Sequence, residues 1–119
     1  MKLKETCALH AEAFSAAEVV HGAMALLRSR FPGLLFAQAD GSLSTSCALA
    51  ADMVRRGATV MIAGAEVNGA VSLPTLNAHP ALEPILMIQS FYRAAANLSV
   101  ARGLDPDRPP HLAKVTRTH

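Results

Sequence analysis

Thr59-Val-Met-Ile-Ala63 is apolar without alternation and sits between Gly57 and Gly64. A strand wetted on one face alternates apolar and polar residues, whereas an unbroken apolar run suits a strand covered on both faces, as in a parallel sheet. Parallel neighbours need crossover connections, usually helices, so the flanking segments must supply them. Upstream, Leu34 to Gln38 reads as a short apolar strand closed by Asp40-Gly41. Downstream, Asn68-Gly69 marks a turn, and Val71 to Leu76 reads as a third strand, interrupted by Pro74 and therefore near an edge.

Helical signals fill the intervals. Ser15-Ala-Ala-Glu18 is a capping box, in which the hydroxyl and the carboxylate each satisfy a backbone N–H. It predicts a helix of about three turns carrying Val20, Met24 and Leu27 on one stripe, with Pro32-Gly33 ending the unit. Ser42 or Ser44 starts a helix whose apolar positions are Leu43, Cys47, Ala50 or Ala51, and Val54. Arg55 and Arg56 favour its C-terminal dipole and Gly57 stops it. Pro84 fits the first turn of a long helix running to Arg102, with Gly103 as the stop. Its first half, Ile85-Leu-Met-Ile88 with Phe91 and Tyr92, is apolar nearly all round, which predicts burial. The first residues read as helical with no cap before them, so that element is expected to begin further upstream. His10 to Phe14 fits either its continuation or a short strand. After Leu104 the prolines force an extended tail over residues 104–119. Strands alternating with helices give an α/β fold around a parallel sheet, and 119 residues leave room for one domain.

The bulk chemistry excludes some function classes. A net charge of +2 with dispersed arginines and 4% aromatics offers no basic, aromatic-lined stripe for nucleic acid. No apolar run is long enough to span a bilayer. Cys7 and Cys47 lack metal or redox spacing and suit a reducing compartment, so the expected location is the cytoplasm. No His and carboxylate set shows metal spacing, and neither a metal nor a cofactor is expected.

The candidate chemistry lies at the two ends. Lys2 and Glu5, three apart, share a helical face, where the ammonium can hold the carboxylate ionised as a base; the plain alternative is an exposed ion pair. His21 is the ionisable group within an apolar helix, and the adjacent Gly22 costs about 1 kcal/mol relative to Ala. That cost is often accepted where a backbone or ligand approaches closely, while a buried, carbonyl-bonded histidine is the bland reading. Lys114 follows the proline-stiffened tail. His10 and Glu12 read as structural, and His79 and His111 as loop residues. Ser42, Ser44, Thr45 and Ser46 open a helix where hydroxyls can cradle a phosphate, although such starts are usually plain caps.

Together, Lys2-Leu-Lys-Glu5-Thr, His10-Ala-Glu-Ala-Phe14, His21-Gly22-Ala-Met and the tail Leu112-Ala-Lys-Val-Thr116 resemble the sugar isomerase (SIS) domain family. The likeness points to the isomerase half of its glutamine–fructose-6-phosphate aminotransferases and to its glucosamine-6-phosphate deaminases. It implies a three-layer, flavodoxin-like sandwich, incomplete at its N-terminal side, with residues 1–119 as the second SIS subdomain. It implies that Glu5 shuttles a proton between C1 and C2 of an open-chain amino-sugar phosphate, and that Lys2 steadies the developing oxyanion. His21 would open the sugar ring, and Ala113 and Lys114 would close over the substrate. A homodimer and an N-terminal SIS half carrying the phosphate loop are the implied partners. Two departures stand out: Ala23 follows His-Gly where the family usually has proline, and the resemblance begins partway through the subdomain's first helix. The preceding strand would lie inside the sheet, with His10 to Phe14 as the strand after it. A SIS domain that senses a sugar phosphate without transforming it is the alternative. An unrelated flavodoxin-like or receiver domain would want acidic residues at strand ends better placed than Asp40 and Glu66.

Overall fold

The computed structural model describes residues 2–109, which form two compact units: residues 14–88, and residues 2–13 with 89–109. The larger unit contains the sheet. Strands β1 (Pro32–Phe36), β2 (Thr59–Ala63) and β3 (Val71–Leu73) pair in that order, and both pairs are parallel. The fold is therefore α/β with a parallel sheet, as the unbroken apolar run predicts.

The core forms on one sheet face. Helix α3 (Leu43–Arg55) lays Leu49, Ala50 and Met53 against Val60 and Ile62, all buried. Helix α2 (Ala16–His21) and a 3-10 turn (Ala23–Leu26) add Val19, Met24 and Leu27 around this cluster. The predicted capping box is formed: the Glu18 N–H donates to Ser15 Oγ at 3.3 Å and the Ser15 N–H to Glu18 Oε2 at 2.7 Å. The expected three-turn helix breaks at Gly22, however, and continues only as the 3-10 turn.

Other boundaries moved for local reasons. Pro32-Gly33, expected to end a unit, instead begins β1, which stops at Phe36 rather than Gln38. Proline is tolerated there because a first strand residue need not donate to the ladder. A Cβ at Gly33 would stand 2.6 Å from Met53 Cε, so the tip of that flexible side chain packs directly over the glycine. Strand β3 ends at Leu73, before Pro74. No strand forms over residues 10–14, which carry no regular structure. Helix α4 (Glu83–Ala101) runs as expected, but Ile85 and Ile88 are 61% and 40% exposed, so the predicted burial of its first half holds at Met87 and not at them.

In the smaller unit, helix α1 (Lys2–Cys7) ends with Ala8 in the left-handed region at φ 51°, which turns the chain back so that the Leu9 N–H bonds to the Leu3 carbonyl at 3.1 Å. Side chains from residues 95–102 then satisfy the end of α1. Ser99 Oγ donates to the Thr6 carbonyl at 2.6 Å and Arg102 Nε to the Cys7 carbonyl at 2.8 Å. The fully buried Cys7 thiol donates to the Ala95 carbonyl at 3.2 Å.

Candidate functional site

Helix α1 does what its spacing promises. Lys2 Nζ lies 3.9 Å from Glu5 Oε2, and the two side chains keep 53% and 31% of their surface exposed. An i, i+3 pair on an open helix face leaves the carboxylate reachable by a substrate and balanced by one nearby ammonium. A neighbouring clasp occupies the other lysine: Lys4 Nζ donates to Glu12 Oε1 at 2.5 Å, with His10 Nε2 3.9 Å from the same oxygen. The bond to Lys4, then its charge, hold the Glu12 carboxyl below its ordinary range. Glu12 thus ties the segment after α1 back onto the helix, in line with its structural reading.

His21 closes α2, and its side chain is exposed, so it is not the buried, carbonyl-bonded histidine of the bland reading. No backbone crowds Gly22 either. A Cβ there would meet only the Glu18 carbonyl, at 3.9 Å, and the glycine serves the break between α2 and the 3-10 turn. The structure brings together Lys2 and Glu5; Ala113 and Lys114 lie outside the described residues.

The hydroxyl-rich start of α3 is already supplied with an anion. Asp40 Oδ1 accepts from the Ser42 N–H at 2.7 Å and from Ser42 Oγ at 2.6 Å. The Ser42 hydroxyl, then its N–H, hold the Asp40 carboxyl below its ordinary value. With the chain's own carboxylate in that position, a phosphate would meet like charge. The expected cap does not form at Ser42 either: it stands at the N-cap, but its hydroxyl is spent on Asp40 and makes no bond to the first turn.

Two further features escape sequence reasoning. Glu83, buried at the start of α4, accepts from the Ala39 N–H at 2.9 Å, while Gln38 Nε2 donates to the Pro80 carbonyl at 2.7 Å. Together they fix the segment that follows β1. Gly64, directly after β2, has φ +88°, and a Cβ there would come within 2.0 Å of the Ala37 carbonyl oxygen. Its signal was a glycine directly after the apolar run. A cleft of about 440 Å³ lies beyond it, lined by Glu66, Ser72 and Thr75 among others. Among the described residues no three His, Cys, Asp or Glu side chains gather as metal ligands, and no helix is long and apolar enough to cross a membrane.

Comparison with known proteins gives these features a context. No family model matches the chain. It is 34% identical over 125 residues to a glutamine–fructose-6-phosphate aminotransferase of Aeropyrum pernix, covering 96% of this chain and 19% of that protein. The enzyme of the same name from Thermotoga maritima is 32% identical over 120 residues, covering 96% and 20%. The chain thus spans about a fifth of the length of these curated relatives. Among solved structures, a Silicibacter pomeroyi protein described as a phosphosugar isomerase matches with a TM-score of 0.80 and 37% identity, over 88% of this chain and 32% of that one. The C-terminal domain of glucosamine-fructose-6-phosphate aminotransferase from Francisella tularensis shares the fold, with a TM-score of 0.80 at 21% identity, over 90% of this chain and 32% of that one. With a parallel α/β sheet and likenesses that run over nearly its whole length, the chain is similar to part of the glutamine–fructose-6-phosphate aminotransferases and to a phosphosugar isomerase, in line with the sugar isomerase (SIS) resemblance of its sequence.

Proposed function

We propose that this chain is the second, C-terminal SIS subdomain of a sugar-phosphate isomerase or deaminase, with residues 104–119 as its substrate-covering tail. The observation that carries the reading is the Lys2–Glu5 pair, 3.9 Å apart on an accessible face of α1. An aldose–ketose interconversion needs one base that takes a proton from one carbon and returns it to the next. A carboxylate can do both, because it is regenerated when the proton leaves. Glu5 removes the proton from C1 or C2 of the open-chain sugar, giving an enediol-type intermediate, and delivers it to the neighbouring carbon. Negative charge collects on the carbonyl oxygen during the transfer, and the Lys2 ammonium stabilises it.

His21 assists ring opening, and Ala113 and Lys114 cover the sugar. The companion SIS half supplies the phosphate loop, which agrees with the start of α3 being filled by Asp40. The substrate is an amino-sugar phosphate or its ketose counterpart; in the deaminase form of the reaction ammonia leaves. Association into a homodimer through SIS subdomains belongs to the same reading, as does action in the cytoplasm.

The test is turnover of fructose-6-phosphate with an ammonia source, and of glucosamine-6-phosphate, by this chain combined with the part of the Silicibacter pomeroyi protein that it does not match. Glu5→Gln should abolish turnover while leaving binding of the sugar phosphate within a few fold. Tight binding without product by the unsubstituted combination would instead make the chain part of a sugar-phosphate sensor.

A further inference from the structure

Four arginines that the sequence scatters are gathered by the fold. Arg28 and Arg30 stand in the turn that leads into β1, and Arg55 and Arg56 stand where α3 ends ahead of β2. The two turns touch. The Arg30 N–H donates to the Gly57 carbonyl at 2.7 Å, and a Cβ on Gly57 would meet the Ser29 Cα at 3.6 Å. Neighbouring strands run roughly 5 Å apart, so all four side chains leave the backbone within one small patch.

These four guanidiniums share a single carboxylate. Asp52 accepts from Arg55 Nη2 at 2.8 Å through Oδ1 and from Arg56 Nε at 2.9 Å through Oδ2, so both of its oxygens are engaged. Arg28 and Arg30 are exposed and form no ion pair among the described residues. Residues 28–31 and 52–57 thus carry +3 where the whole chain carries +2, so the remainder is faintly acidic. Arg55 and Arg56 have a local use in offsetting the negative end of the α3 dipole. Only a four-residue 3-10 turn precedes Arg28 and Arg30, and it has no dipole of that size. Arg30 also sits at φ 64°, a left-handed conformation that glycine would adopt at far lower cost. Strained positions of this kind cluster at ligand clamps. Phe31 follows with 41% of its surface exposed, an aromatic ring beside the charge.

We propose that the face carrying Arg28, Arg30, Arg55 and Arg56 binds a small molecule bearing a polyphosphate chain. A guanidinium fork matches phosphate oxygens two at a time, and a chain of phosphates engages both spare arginines at once. The patch is two turns wide, too short for the stripe that a nucleic acid needs. A single sugar phosphate fills one fork only. The site is therefore distinct in chemistry from the Lys2–Glu5 pair and does not depend on the function proposed for that pair. The exposed Phe31 ring suits a nucleoside base as the body of the ligand, because every base offers a stacking face.

The experiment is titration of the full 119-residue chain, followed by amide NMR, with tripolyphosphate, adenosine triphosphate, fructose-6-phosphate and a hexaglutamate peptide. Tripolyphosphate should move the amides of residues 28–31 and 55–59, and bind there at least tenfold tighter than fructose-6-phosphate or hexaglutamate. Raising the salt from about 50 to about 300 mM should weaken it at least fivefold. Arg28→Gln combined with Arg30→Gln should weaken it at least tenfold. Arg30→Gly removes a guanidinium while relieving the left-handed backbone, so the fold is kept and binding should still fall several fold. Adenosine triphosphate binding tighter than tripolyphosphate, with the gain lost in Phe31→Leu, identifies a nucleotide as the source. An affinity no higher identifies the polyphosphate chain alone. No binding, equal binding there of fructose-6-phosphate or hexaglutamate, shifts centred on other amides, or affinity unchanged in folded Arg28→Gln/Arg30→Gln protein each overturns the proposal.

Discussion

Residues 14–88 bury Val60, Ile62, Leu49 and Met53 in a core of aliphatic side chains, whereas residues 2–13 and 89–109 bury Cys7, Ala95 and Ser99 and are tied by side-chain bonds to carbonyls. The first is stabilised by apolar area, which depends little on direction. The second depends on a few directional bonds, each costly only if a partner is lost and the other group stays buried. Lys2 and Glu5, the proposed chemical pair, sit on the second kind of structure. That difference separates what keeps the chain folded from what sets the base in place.

The comparison breaks most visibly in the larger core. Ile62→Ala should cost about 2–5 kcal/mol in urea unfolding, with segment-resolved exchange locating the loss in residues 14–88. A loss spread equally over α1 would contradict the distinction. Next in size, Ser99→Ala strands the Thr6 carbonyl and should cost about 1–3 kcal/mol, with faster amide exchange concentrated in α1. Because α1 carries Glu5, the same variant should lower turnover by the assembled enzyme more than Ile62→Val does.

Smaller effects sharpen the picture at single caps. Ser15→Ala should cost about 0.5–2 kcal/mol at neutral pH. The Ser15 N–H, then its hydroxyl, hold the Glu18 carboxyl below its ordinary value. Its folded value is lower than its unfolded one, so its contribution is present above the unfolded value and disappears as pH falls through the folded value. Glu18→Gln and the unsubstituted chain should therefore differ least in acid, in a pH series of urea midpoints. The smallest change expected is Ala8→Gly. Relief of the left-handed strain, about 1–2 kcal/mol, slightly exceeds the unfolded-state entropy that glycine adds, about 0.4–1 kcal/mol. A gain of a few tenths should appear as slower fraying of α1.

What the sequence disclosed follows the range of the forces involved. Thr59–Ala63 was legible because burial of the central strand writes an unbroken apolar run, and the Ser15–Glu18 box because its bonds are local. Pro32-Gly33 misled because both residues usually punctuate. Pro32 fits as the first residue of a strand, and Gly33 lies under Met53, about twenty residues further on in α3, a contact that no local pattern encodes. Ile85 and Ile88 declare apolarity without saying what lies over them. At the site, the i, i+3 spacing of Lys2 and Glu5 sufficed, because a helix converts spacing directly into proximity. His21 was harder, since its exposure depends on where α2 breaks. The grip of Glu83 on Ala39 joins residues far apart in sequence and left no signal to read.

The proton shuttle itself can be followed by incubating the chain and its companion half with fructose-6-phosphate in deuterium oxide and reading solvent deuterium at C1 and C2 by proton NMR. Incorporation by the unsubstituted protein, lost in Glu5→Gln and slowed in Lys2→Met, is the result expected if Glu5 carries the proton. Incorporation at an undiminished rate in Glu5→Gln would contradict that assignment.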